Sequence, residues 1–179
     1  EAIALERSLL SSLRNRADYV IDTSDLTLGE LRRSLMDYFG HGAAPRDSMT
    51  VKVLSFGFKY GMPLDADMVL DVRFLPNPFY IDELKHKTGN DPEVKSYVMG
   101  NPEAEVFLQK LTDMIQFLIP NYINEGKYQL VIAIGCTGGK HRSVTLANEL
   151  YDRMKDQGHY GIKLYHRDMA ESSLQDLQR

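Results

Sequence analysis

The chain contains a single cysteine and no tryptophan. One cysteine excludes an internal disulfide and a cysteine-rich zinc site, and it suits a reducing compartment, so the cytoplasm is the expected location. No apolar run comes near the roughly 20 residues that a membrane helix needs. The opening "EAIALERSLLSSLRNRADYV" is charged and amphipathic where a signal peptide would carry a compact apolar stretch. No membrane partner is therefore expected. His41, His86, His159 and His166 stand apart in sequence without metal-ligand spacing, so no metal site is expected either. Positive charge is in short supply: Lys+Arg 21 against Asp+Glu 25 gives a net charge of -4. Nucleic-acid affinity from bulk charge is disfavoured, which leaves only a local basic patch to supply it.

What is present fits a soluble α/β chain. Its 179 residues are 43% hydrophobic and 26% charged, enough for one domain with a sizeable core, or one domain plus a fragment of another. The first residue is Glu1, with no Met before it, and we expect a piece of a longer protein. Residues 3–16 place Ile3, Leu5, Leu9, Leu10 and Leu13 at helical spacing. Tyr19–Asp22 reads as a short strand, followed by a helix that Thr27 and Glu30 can open as a capping box. Residues 1–40 so resemble the closing unit of an α/β domain, and 41–48, small and polar with one proline, read as a linker. From 49 to 179 strands and helices alternate: "MTVKVLSFGF" and "DMVLDVRF" as strands, short helical pieces over 80–100, a helix over 102–125 kinked or broken at Pro120, "YQLVIAIG" as a strand, a helix over 142–157, "GIKLYHR" as a strand, and a polar, helical or frayed tail. Strands separated by helices predict a mainly parallel sheet with flanking helices.

The densest stretch is "GCTGGKHRS", Gly135–Ser143, where an apolar strand gives way to an amphipathic helix. In open parallel sheets ligands collect at the carboxyl ends of strands. Gly138 and Gly139 lack Cβ atoms, can adopt positive φ and let backbone N–H groups converge on one anion. The following helix adds its unpaired N–H groups. Arg142 offers a two-pronged grip on phosphate, Lys140 a point charge, His141 a switchable one, and Thr137 and Ser143 hydroxyls. The turn lacks the Walker spacing, so it is not read as an ATP loop. It does match C-x5-R, the loop of tyrosine phosphatases, in which Cys136 would be the nucleophile and Asp71 the nearest candidate acid. The other reading of Cys136 is a small thiol packed beneath the loop.

"SFGFKYGMPLDADMVLDVRFLPNPFY" is the second dense stretch. Alternation puts Met68, Leu70 and Val72 on one strand face and Val69, Asp71 and Arg73 on the other. Asp71 beside an anion-gripping turn could accept hydrogen bonds from a sugar or similar polar metabolite, with Arg73 as a further cation. The competing reading is an internal Asp71–Arg73 ion pair that fixes the Pro-rich loop. Asp65 and Asp67 read as solvated turn residues, and the neighbouring aromatic residues as core rather than base-stacking platforms. His166 and Arg167 follow the last strand and could reach the same end of the sheet.

"DVRFLPNP", "TGND" and "GCTGGKHRS" together resemble the C-terminal domain of the RapZ/YvcJ family of bacterial nucleotide-binding proteins, also described as RNase adapters, and the Pro-Asn-Pro-Phe-Tyr version resembles its Gram-positive YvcJ branch. The resemblance implies a sugar-phosphate-binding, phosphofructokinase-like architecture, a pocket including Asp71, Cys136, Thr137, Gly138, Gly139, His141 and Arg142, and oligomerisation. It implies ATP or GTP binding and hydrolysis by an N-terminal P-loop domain missing from this chain, which itself would need no cofactor and be non-catalytic. In the RapZ branch the domain binds glucosamine 6-phosphate and small RNAs. Phe79 replaces a pocket histidine of that branch, and the tail "HRDMAESSLQDLQR" lacks its basic residues. The expected ligand is thus a phosphorylated metabolite, either an aminosugar phosphate or a nucleotide-sugar. A regulatory protein partner fits the family, and RNA, with Lys59 and Lys140 as its contacts, is the weaker inheritance.

Overall fold

The computed structural model describes residues 2–14, 16–39, 49–157 and 160–170. The expected linker 41–48, His41, His159 and the tail beyond Ala170 lie outside the described residues. The chain divides into two compact units, residues 1–41 and 42–179.

The first unit holds helices α1 (Ala2–Arg14) and α2 (Leu28–Phe39). The capping box is formed: the Thr27 N–H donates to Glu30 Oε2 at 2.8 Å, and the Glu30 N–H donates to Thr27 Oγ1 at 3.3 Å. Tyr19 packs its ring against Tyr38 and Phe39, with centroids 5.2 and 5.1 Å apart. Tyr19–Asp22 is not a strand. A strand needs a neighbour to take its N–H and C=O groups, and among the described residues this unit offers none.

The second unit is built on four parallel strands: β1 (Thr50–Gly57), β2 (Met68–Asp71), β3 (Gln129–Cys136) and β4 (Gly161–His166), in the order β2-β3-β1-β4. Four helices join them: α3 (Asp82–Lys85), α4 (Pro92–Met99), α5 (Pro102–Asn124) and α6 (Arg142–Met154). Val51 and Val53 of β1 and Leu130, Ile132 and Ile134 of β3 are buried in the main core with Val94 and Val98 of α4, Leu108, Leu111 and Ile115 of α5, and Ala147 and Leu150 of α6. The opposite face carries a smaller cluster of Leu54, Phe56 and Ala133, covered by Phe58 and Ala66. Burial of these β-branched and leucine side chains, each stabilising by about 1.5–3 kcal/mol, sets which face of every strand turns inward.

The connection from β1 to β2, read from the sequence as a turn, contains one 3-10 turn (Phe58–Tyr60) and no α-helix, and it packs Phe58 and Ala66 on the back of the sheet. Two details add to or differ from the sequence expectation. Helix α5 continues through Pro120 without a break. Pro120 and Gln116 are exposed, so the carbonyl that loses its intrahelical donor can turn to water. Asp67 stays exposed at a bend, as expected, but is not merely solvated: its carboxylate accepts the Val131 N–H at 2.8 Å and Lys127 Nζ at 2.5 Å, stitching the start of β2 to β3.

Strand order also places the site. From β1 the chain moves past β3 to β2, whereas from β3 it moves past β1 to β4. Neighbouring strands whose connections leave in opposite directions open a crevice at their carboxyl ends, the usual ligand position in open parallel sheets. That point is the pair Gly57 and Cys136, opposite each other in register.

Candidate anion site at the end of the third strand

β3 ends at Cys136, residues 137–141 form the turn, and α6 begins at Arg142. The turn is pressed against the end of β1. A Cβ on Gly57 would lie 2.6 Å from the Gly138 carbonyl carbon, and one on Gly139 would lie 2.7 Å from the Gly57 nitrogen. Gly139 has φ 71°, a conformation other residues adopt only with strain. Of the two glycines that can adopt positive φ, only Gly139 does so. From the other side, the "TGND" segment props the turn: the Gly89 N–H donates to the Lys140 carbonyl at 2.9 Å, and Thr145 Oγ1 donates to the Gly89 carbonyl at 3.4 Å. Asp91 closes that segment by accepting the Thr88 N–H at 2.7 Å, and the same bond holds its carboxyl below the ordinary carboxylate range.

Held in this way, the turn buries its charged side chains. Lys140, His141, Arg142 and Ser143 are all at most 6% exposed. Arg142 NH1 donates to the carbonyls of Arg73 at 2.9 Å and Leu75 at 3.0 Å, and its NH2 to Thr137 Oγ1 at 3.4 Å. Each of these acceptors is neutral. Lys140 Nζ donates to the Lys85 carbonyl at 3.2 Å. The Cys136 thiol lies in the floor, 3.1 Å from Ser143 Oγ and accepting the Gly139 N–H at 3.3 Å. His141, the residue preceding α6, makes no side-chain cap, and the first N–H groups of a helix have no acceptor within it.

Above the turn is a cavity of about 310 Å³ lined by Lys59, Asn77, Phe79, Tyr80, Cys136, Thr137, Gly138, Lys140, His141 and Arg142. The structure thus brings together Cys136, Thr137, Gly138, Lys140, His141 and Arg142, with Gly139 and Ser143 beneath them, and adds Lys59 to the wall. It does not bring the side chains of Asp71 and Arg73 to that wall. Arg73 Nε bridges both Asp71 carboxylate oxygens at 3.0 and 2.9 Å, its NH2 adds a bond of 2.7 Å, and its guanidinium lies 4.5 Å over the Phe58 ring. The Arg73 hydrogen bonds hold the Asp71 carboxyl below its usual range. Nor do His166 and Arg167 line the cavity: His166 Nδ1 meets Ser55 Oγ at 2.8 Å, and burial lowers its pKa.

Three participants escaped the sequence reading. Asp168, 3% exposed, accepts the Gly57 N–H at 2.7 Å and so fixes the end of β1, while Arg167 clasps it at 2.8 Å. The "HRD" triplet after an apolar strand was its only signal. Asn77 and Tyr80 enter the wall because Asn77 caps the 3-10 turn Pro78–Tyr80, accepting the Phe79 N–H at 3.4 Å; two prolines foretold a loop there but not the direction it faces. Among the described residues no cluster of His, Cys, Asp or Glu could hold a metal ion, and no helix is long and apolar enough to cross a membrane.

Comparison with known proteins agrees with the fold. Residues 49–170 match the model of the RapZ C-terminal domain, and residues 1–43 that of the RapZ-like N-terminal domain. A nucleotide-binding protein of Agathobacter rectalis is 57% identical over 174 residues, covering 97% of this chain and 60% of the relative. One from Caldicellulosiruptor saccharolyticus is 56% identical over 171 residues, covering 96% and 58%. One from Limosilactobacillus reuteri is 54% identical over 172 residues, again covering 96% and 58%. The chain therefore spans somewhat under two thirds of the length of these curated relatives. On this evidence of sequence and architecture, the chain belongs to the RapZ family.

Proposed function

We propose that the second unit is a non-catalytic sensing domain that binds a phosphorylated metabolite in the cavity above Gly135–Ser143. The observation that carries the reading is Arg142: a residue 5% exposed whose guanidinium is bonded to neutral oxygens and which lines a cavity. A buried cation gains most from an anion brought to it, because water screens the pair poorly there. Lys140 and the opening turn of α6 reinforce the same sign. The relatives are named nucleotide-binding proteins, so nucleotides belong with sugar phosphates among the ligands to try. In the whole protein, ATP or GTP handling would fall to a P-loop region, and the sensing unit would report to a protein partner within a homo-oligomer.

Two other readings have less support. A phosphatase would need an acid, yet Asp71 is held ionised by Arg73 and stands outside the cavity wall. An RNA adaptor would use Lys59 and Lys140 on an exposed face, yet Lys140 is buried. The test is a thermal-shift screen of the chain with inorganic phosphate, sugar phosphates and nucleotide-sugars. A ligand that binds the folded state raises the unfolding temperature by mass action. The rise should disappear in Arg142→Ala; no response to any phosphate in the native chain would overturn the assignment.

A further inference from the structure

We infer that Arg167 and Asp168 form a clamp that seats Lys59 in the cavity wall, which makes them positioning residues for the bound anion. The inference rests on the anion site proposed above and adds to it a second cation, held in place from the end of β4.

Lys59 lies on the 3-10 turn Phe58–Tyr60, flanked by Gly57 and Gly61, and lines the cavity. Neither glycine has a side chain that could pack the turn in place. Beside Gly61, at φ 86°, the space is open, and its N–H closes on the Phe58 carbonyl at 3.1 Å within the turn itself. The hold from outside comes from the segment after β4. Asp168 accepts the Gly57 N–H at 2.7 Å, and Arg167 NH2 donates to the Gly61 carbonyl at 2.6 Å. The two side chains grip each other, Arg167 Nε on Asp168 Oδ1 and NH2 on Oδ2, both at 2.8 Å. One joined pair therefore spans the turn from end to end. It also lies against the anion turn, since a Cβ on Gly139 would stand 3.1 Å from Asp168 Cβ. Between the clamped ends, the Lys59 N–H donates to the Thr137 carbonyl at 3.2 Å, which ties the backbone of the lysine to the anion turn. Phe58 is anchored separately, by the Phe56 ring at 4.8 Å and the Arg73 guanidinium at 4.5 Å. Loss of the clamp thus frees the Lys59 half of the turn and leaves Phe58 packed. A lysine on a loose turn gives up main-chain and side-chain freedom when it meets an anion, whereas a clamped one gives up only the latter, so the clamp acts as affinity.

The experiment is calorimetric titration of the 179-residue chain with pyrophosphate at low salt, arranged as a double-mutant cycle on Lys59 and Arg167. Lys59→Ala should weaken binding about fivefold, the upper end for an exposed charge pair. Arg167→Ala should weaken it about threefold by loosening the turn that carries the lysine. The double variant should bind as Lys59→Ala does, to within about twofold, because a clamp without its lysine has nothing left to position. Asp168→Ala should lose at least as much as Arg167→Ala, and Asp168→Asn, which keeps an oxygen for the Gly57 N–H, should recover part of the loss. A role in stability alone would lower the urea midpoint of Arg167→Ala and leave its pyrophosphate affinity native; that result overturns the inference. So does a double variant in which the two losses multiply, since Arg167 would then act independently of Lys59. Native affinity in Lys59→Ala or in Asp168→Ala overturns it as well, and if Asp168→Ala does not fold, the cycle on Arg167 decides alone. Each of these results leaves the anion site standing. No binding of pyrophosphate by the native chain overturns the anion site itself.

Discussion

Strands β2 and β3 run side by side and end level, with Asp71 opposite Gly135, yet the two segments that follow use charge in opposite ways. After β2, Asp71 and Arg73 neutralise each other in a forked pair, and both side chains remain about half exposed, at 43% and 50%. After β3, Arg142 is buried and bonded to main-chain carbonyls and a threonine hydroxyl. The Arg142 guanidinium even uses the backbone of the β2 segment, through the carbonyls of Arg73 and Leu75. A charge satisfied by its neighbour is part of the frame. A buried charge held by neutral dipoles keeps most of its field for something else, and a cavity beside it gives that something a place.

The largest effect that would break this contrast belongs to Arg142. Arg142→Ala removes the cation and the guanidinium that donates to the carbonyls of Arg73 and Leu75, the second of these bonds buried. Pyrophosphate affinity should fall about a hundredfold, or ~2.7 kcal/mol, by calorimetry. Arg142→Lys should lie between, near a tenfold loss, since a lysine supplies charge without the fork. Retained affinity in the alanine variant would mean that the buried guanidinium serves the frame alone.

Next comes the backbone of the turn. Gly139→Ala forces a side chain into φ 71° and against the Gly57 nitrogen. We expect a stability loss of roughly 1–3 kcal/mol from the strained conformation, measured by urea unfolding, with weaker phosphate binding where the fold survives. A neutral result would show that the close approach of the turn to β1 is not needed.

Smaller still is Cys136→Ser. The thiol contacts Ser143 and the Gly139 N–H, and a hydroxyl can take both roles, so phosphate affinity should stay within about threefold, less than the roughly twelvefold that a net hydrogen bond to an uncharged group can carry at most. Turnover of p-nitrophenyl phosphate by the native chain that vanishes in this variant would instead favour the C-x5-R reading.

The sequence carried the fold well because its signals were local. The alternation around Met68, Leu70 and Val72 turned the right residues inward, and the apolar runs of β1 and β3 marked strands buried on both faces. It pointed to the turn that lines the cavity because glycines and cations were adjacent in the chain. It did not carry what depends on distant packing. Nothing near Asp168 announces that its carboxylate holds the amide of Gly57, a partner 111 residues away in sequence. Nothing near Tyr19–Asp22 announces that, among the described residues, no strand lies beside it. The turn after β1 was legible from Gly61 and Pro63, but not that it would pack Ala66 beside Ala133 on the sheet, a fit visible only once the faces are paired.

The smallest predicted effect tests the other half of the contrast. Asp71→Asn removes the carboxylate of an exposed pair, and exposed pairs contribute little. The sign of its pH dependence follows from the lowered carboxyl pKa caused by Arg73. Any stability it supplies is present above the unfolded-state value, about 3.9, and is lost as the pH falls through the lower folded value. The variant should thus be slightly less stable than the native chain at pH 7 and indistinguishable from it well below pH 3, both read from urea midpoints. Its phosphate affinity at pH 7 should be close to native, with any change a modest gain, since one negative charge near Arg142 has gone. If Asp71→Asn lost affinity as severely as Arg142→Ala, the carboxylate would be reaching the ligand despite its fork with Arg73, and the two segments would be one continuous binding surface rather than a site and its frame.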